Sequence, residues 1–199
     1  GQKLGAFMLT EPQAGSDASN LLTRAERKGD RYVLNGLKQF VTAGESADIA
    51  MVVAVTDPAA GKKGISCFLV ATDTPGYRVV RREQKLGHRT CDTCLIALED
   101  LEVPADNLLG PLGDGYKIAL SYLVEGRIGV AAQSVGMARV ALDAAVPYAK
   151  DREAFGKPII EHQGVGFRLA DMATQVEVAR QLTWHAAALR DAGRPCVRE

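Results

Sequence analysis

Apolar positions follow two different periods along the chain. From Phe7 to about Val103, short segments rich in β-branched and aromatic residues are separated by Gly, Pro, Asp and Asn, the punctuation of strands. Residues 21–28 and 31–40 flank Gly29-Asp30 and predict a hairpin, with further strands expected at 49–55, 66–71, 77–80 and 93–103. Strands of this length and spacing predict a small antiparallel barrel or sandwich. No G-x-G-x-x-G turn opens a helix and strands do not alternate with helices, which argues against a Rossmann fold.

Beyond Gly110-Pro111 the period becomes helical, with Leu120, Leu123, Val130, Ser134, Ala138, Ala141 and Ala145 along one stripe. A helix is expected over residues 114–150, bent in its last turn by Pro147, which lacks a backbone N–H. A second is expected after Pro158, with Val165, Leu169, Met172, Val176 and Ala179 on one face and a stop at Gly193. The fold class is therefore α+β: a β domain over 1–110, then the first helices of an antiparallel bundle over 111–199. Two helices cannot enclose both of their long faces, so further helices or a partner are expected to cover them.

Composition narrows the partners. Lys+Arg and Asp+Glu both number 24, and the formal charge is zero, which favours neither nucleic acid nor an anionic membrane. No apolar run approaches the roughly 20 residues of a membrane span. The four cysteines are too few and scattered for a disulfide framework, which favours a reducing compartment. His88, Cys91 and Cys94 spell H-x-x-C-x-x-C, but thiols three apart on a strand diverge, so no metal is expected. His185, beside Trp184, is read as a packing residue, and Lys62-Lys63 as a solvated loop tip.

Three segments carry candidate chemistry. Thr10-Glu11-Pro12-Gln13-Ala14-Gly15-Ser16-Asp17 is a strand end entering a loop with hydroxyl and backbone donors, suited to an electron-rich ring or a phosphate, and equally to a solvated turn. Gln39-Phe40-Val41-Thr42-Ala43-Gly44 sets an aromatic and a hydroxyl two apart on one strand face, which suits a flat cofactor or core packing. Arg152-Glu153-Ala154-Phe155-Gly156-Lys157-Pro158, followed by His162 and Gln163, brings a cation, an aromatic and a helix start together, as for a pyrophosphate or an ordinary interhelical loop.

In this order, and with L-G-x-R-x-x-x-T at 86–93, Val103-Pro104 and G-R-I-G at 126–129, the segments resemble the acyl-CoA dehydrogenase family over essentially the whole chain. The resemblance implies an FAD-dependent conversion of an acyl-CoA to its 2-enoyl-CoA, with electrons passed to an electron-transfer flavoprotein. It implies a homo-oligomer, dimer or tetramer, in the bacterial cytoplasm or the mitochondrial matrix. It further implies that Phe7, Leu9, Thr10, Gly15 and Ser16 line the flavin, with Ser16 also near substrate. Phe40, Val41 and Thr42 correspond to the segment over the isoalloxazine, where the family often has Trp at the Phe40 position. Arg152, Phe155 and Gln163 correspond to residues reaching a neighbouring subunit's FAD, and Val124, Glu125, Gly126 and Arg127 to the segment beside the acyl chain.

The α-proton needs a carboxylate. One subgroup of the family carries it where this chain has Gly126, and the other carries it in a later segment, so the base is expected beyond Glu199. Glu125 is one helical step of about 100° off the required direction and is a weak candidate. Readings left open are an acyl-CoA oxidase-like flavoenzyme and a non-catalytic scaffold or interaction domain. The G-R-I-G-V-A-A-Q run favours short straight acyl chains within the family.

Overall fold

A computed structural model describes residues 1–198, which fall into two compact units, Gly1–Ser121 and Tyr122–Glu199. The first is built on strands β1 (Gly5–Met8), β2 (Arg24–Lys28), β3 (Arg31–Thr42), β4 (Ile49–Val55), β5 (Ile65–Ala71), β6 (Tyr77–Arg82), β7 (Thr93–Pro104) and β8 (Leu108–Leu109). They form one eight-stranded sheet in the order β6-β7-β3-β2-β4-β5-β8, with β1 beside β4.

Most pairings are antiparallel, including the hairpin of β2 and β3 about Gly29-Asp30, in which Lys28 faces Arg31. Two are parallel: β1 runs along β4, and Arg24 at the start of β2 meets Val55 at the end of β4. The β2 strand starts at Arg24 rather than at residue 21 for a specific reason. The backbone N–H groups of Leu22 and Thr23 donate to the Glu11 carboxylate, so they are unavailable to a neighbouring strand.

Alternation along the strands turns one face inward. Met8, Leu34, Val52, Phe68, Ile96, Leu98 and Leu101 are fully or almost fully buried in one core. Burying each such side chain contributes about 1.5–3 kcal/mol. Tyr32 and Phe68 meet ring to ring at 4.9 Å. Gly36 lies where β3 is irregular against β7, and a Cβ there would stand 2.4 Å from Thr23 Oγ1, so only glycine lets this backbone approach β2 so closely.

Helix α1 spans Gly115–Asp151, about 55 Å at the usual rise. It runs on through Pro147. A two-residue hairpin joins β9 (Glu153–Ala154) to β10 (Lys157–Pro158), and α2 spans Gln163–Asp191. In Tyr122–Glu199 the apolar stripe of α2 is only partly covered: Met172 is 38% exposed, and Val178, Leu182 and Trp184 are exposed as well. His185 is exposed rather than packed, contrary to its sequence reading, while Trp184 carries the Arg180 guanidinium 4.8 Å from its ring centre. Among the described residues no helix is long and apolar enough to cross a membrane.

Candidate functional site

In the β unit the candidate residues collect around a clamped loop and a bulged strand. Leaving β1, the chain passes Leu9 and Thr10 and closes a tight turn in which Glu11 and Ala14 exchange backbone hydrogen bonds, each 3.0 Å. Gly15 and Ser16 follow, both exposed. Thr10 is half-buried, and its carbonyl accepts from the Gln39 amide at 2.8 Å, which fixes this loop beside β3.

On β3 the register against β7 shifts between Lys38, opposite Ile96, and Val41, opposite Cys94. Three steps on one strand answer two on the other, so one extra residue bulges out. Lys38 and Val41 consequently both turn into the core, while Phe40, 60% exposed and at φ +55°, and the exposed Thr42 lie on the outer side. A left-handed φ is uncommon for a bulky aromatic and is held here by the surrounding pairing. Leu9 is buried and Phe7 half-buried. The outward hydroxyls beside an exposed aromatic suit a flat heteroaromatic ring with acceptor atoms.

Beneath these groups lies an ion pair that sequence reasoning passed over. Lys38 is 0% exposed; its ammonium donates to Glu11 Oε1 at 2.7 Å and to the Leu9 carbonyl at 3.0 Å. Glu11 also accepts from Leu22 N, Thr23 N and Gln13 Nε2. Burial works to raise the Glu11 carboxyl, but the Lys38 charge and these hydrogen bonds hold it below its ordinary value. Burial pushes Lys38 down to about 8 against the pull of Glu11. The available signal was parity: Lys38 stands in period-two step with Tyr32 and Leu34, so the alternation of β3 turns it inward, and only its charge argued for solvent.

A second carboxylate, Asp92, is buried and anchors the turn after β3. It accepts from Ser46 Oγ at 2.5 Å, Glu45 N at 2.8 Å and Cys94 Sγ at 3.4 Å, and these bonds overcome burial to keep its carboxyl below the ordinary value. Cys94 is buried in β7, whereas Cys91 and His88 lie in the loop before that strand begins. Burial raises the Cys67 thiol to about 11, which removes it from nucleophilic roles at neutral pH.

In the helical unit, Val124 and Arg127 line an open groove of about 780 Å³ between α1 and α2, opposite Met172, Val176 and Ala179. Gly126 is exposed, with open space where a Cβ would stand. The Glu125 carboxylate is engaged by the Arg190 guanidinium of α2. Past α1, Arg152 is exposed, and Phe155 stands at the hairpin tip, 97% exposed at φ +55°, with Gly156 at φ +77°. His162 steadies this hairpin, with Nε2 3.1 Å from the Ala154 carbonyl and its ring edge-on to Phe155. Gln163, exposed, is the first residue of α2.

Known proteins share this arrangement. An acyl-CoA dehydrogenase of Bacillus subtilis is 50% identical over 199 residues, which is 100% of this chain and 52% of that protein. The structure of butyryl-CoA dehydrogenase from Megasphaera elsdenii superposes with a TM-score of 0.94 at 48% identity, over 97% of this chain and 51% of that one. A chain in the structure of the electron transferring flavoprotein of Acidaminococcus fermentans gives 0.94 at 51% identity, over 98% of this chain and 51% of that one. The chain thus spans about half the length of the curated relatives it matches. Residues 6–101 match the acyl-CoA dehydrogenase middle domain and residues 113–199 the acyl-CoA dehydrogenase C-terminal domain, so the chain belongs to the acyl-CoA dehydrogenase family.

Proposed function

We propose that this chain supplies the flavin-facing part of an FAD-dependent dehydrogenase that converts a short-chain acyl-CoA to its 2-enoyl-CoA. The observation that carries the reading is the bulge of β3, which sets Phe40 and Thr42 outward together beside the Thr10 loop, in a chain 48% identical to a butyryl-CoA dehydrogenase. Bound FAD would supply the acceptor for the substrate β-hydrogen.

This chain's residues bind and orient. Phe7 gives apolar surface, backed by the buried Leu9; Thr10, Ser16 and Thr42 offer hydroxyl donors to the acceptor atoms of the ring. Phe40 covers the ring, Val41 anchors the strand behind it, and Gly15 lets the backbone approach. Ser16, Val124, Gly126 and Arg127 serve the acyl thioester. Glu125, tied to Arg190, is poorly placed as the proton acceptor, and we assign that role to a part of the family's length outside this chain. Arg152, Phe155 and Gln163 reach toward the cofactor of a second copy, which makes the working form a homo-oligomer. An electron-transfer flavoprotein is the acceptor, a role supported by the Acidaminococcus fermentans neighbour.

The test is anaerobic titration of the FAD-loaded, full-length protein with butyryl-CoA while following flavin absorbance. Bleaching that persists in a Glu125→Gln variant is expected. Failure to retain FAD, or to bleach with any acyl-CoA, overturns the reading and leaves the scaffold alternative. Faster reoxidation by air than by an electron-transfer flavoprotein would identify an oxidase.

A further inference from the structure

A fully buried lysine is costly to desolvate, and replacing a buried ion pair with apolar residues of similar volume is often neutral or stabilising. Lys38 and Glu11 are 0% and 2% exposed at their side chains, so net stability is a weak account of their presence. Their connections offer another. The Lys38 ammonium ties β3 to the carbonyl of Leu9 and to Glu11, on either side of Thr10. Glu11 in turn holds the amides of Leu22 and Thr23 and closes the turn that delivers Gly15 and Ser16. Two residues beyond Lys38 the strand bulges to present Phe40, and Thr42 follows.

We infer that Lys38 and Glu11 are positioning residues for the flavin, a paired strut that sets the Thr10–Ser16 loop at a fixed separation from Phe40 and Thr42. The inference rests on the flavin reading of those two segments. The pair touches no ligand; it acts by fixing where the Thr10 and Ser16 hydroxyls stand. An ion pair suits this task because its hydrogen bonds are directional and charge-assisted, whereas an apolar contact would permit the loop to slide. A positioning error of about 1 Å is enough to forfeit a hydrogen bond to a rigid ring.

A double-mutant cycle on FAD affinity tests this. In the otherwise native protein, Lys38→Met weakens FAD binding by about tenfold or more, the scale of losing the two hydroxyl contacts of Thr10 and Ser16 together. In a Thr10→Val/Ser16→Ala background the same substitution changes affinity by less than about twofold, because the loop has no contact left to position. At saturating FAD, Lys38→Met also alters the visible circular dichroism of the bound flavin. An undiminished effect in the hydroxyl-free background, or an unchanged flavin spectrum, overturns the inference and reduces the pair to general stability. If instead Thr10→Val/Ser16→Ala alone leaves FAD affinity unchanged, the flavin reading of the loop has failed, and the inference falls with it. Should Lys38→Met not fold, Glu11→Gln, which keeps the side-chain shape, takes its place in the same cycle with the same outcomes.

Discussion

The β unit closes over an apolar core, whereas the helical unit leaves much of its apolar surface on display. In Gly1–Ser121 the sheet seals Met8, Phe68, Ile96 and Leu101 from solvent, while in Tyr122–Glu199 Val130, Met137, Val140, Phe167 and Trp184 are each more than half exposed. The difference follows from how each backbone satisfies itself. A strand needs neighbours distant in sequence, and assembling them creates a core as a by-product; a helix bonds within itself and can exist before its faces are covered. The self-sufficient core therefore resides in the sheet, and the uncovered apolar surface in the helices.

The largest effect that could break this contrast is in the core. Phe68→Ala should cost about 3–5 kcal/mol, whereas Leu182→Ala, 48% exposed, should cost less than about 1 kcal/mol. Urea unfolding of both variants, read by Trp184 fluorescence for α2 and by hydrogen exchange of β4 and β5 amides for the sheet, would show it. Equal losses in the two units would erase the distinction.

Glycines sharpen it by giving opposite signs. Gly36→Ala drives a Cβ to 2.4 Å from Thr23 Oγ1 and should destabilise by about 1–3 kcal/mol. Gly126→Ala on α1 meets open space and should stabilise by about 0.5–1 kcal/mol. Thermal melts of the pair suffice to check both signs.

Two contrasts concern the loops. Glu11 and Asp92 have folded-state pKa values below their ordinary 4.5 and 3.8. Their contribution is thus complete above those ordinary values and is lost as pH falls through the lower folded ones. The sheet should weaken on acidification below 4.5, and Asp92→Asn should flatten part of that dependence; a pH series of urea midpoints measures it. The smallest effects expected are those of Ser16→Ala and Thr42→Ala on flavin affinity, about 0.5–1.5 kcal/mol each, or roughly twofold to tenfold in Kd by equilibrium dialysis. Unchanged affinity in both would return these positions to solvated turns.

Much of the architecture was legible because its signals are local. A β-branched run set off by Asp48 and Asp57 marked β4 to its ends, Gly29-Asp30 marked the hairpin, and the helical stripes marked α1 and α2 within a few residues. The parallel placement of β1 against β4 was not legible, since nothing in either segment encodes a long-range partner. Nor was the late start of β2, which depends on a carboxylate eleven residues upstream of Leu22. The outward hydroxyls could be named from motif, but their foundation could not. A lysine in a strand reads as solvent-facing from its charge, yet Lys38 falls in step with the buried Tyr32 and Leu34, and the bulge that follows it returns Val41 to the same core.

That bulge also has an evolutionary consequence. In a regular strand every second side chain faces the core, so of any two consecutive positions one is held by the packing. Here the extra residue takes Phe40 out of the alternation between Lys38 and Val41, so its ring bears on nothing the core depends on. Selection can exchange this aromatic for a larger or smaller one, retuning what lies against it while the scaffold stays still. One inserted residue has uncoupled the outward aromatic of the strand from the packing behind it.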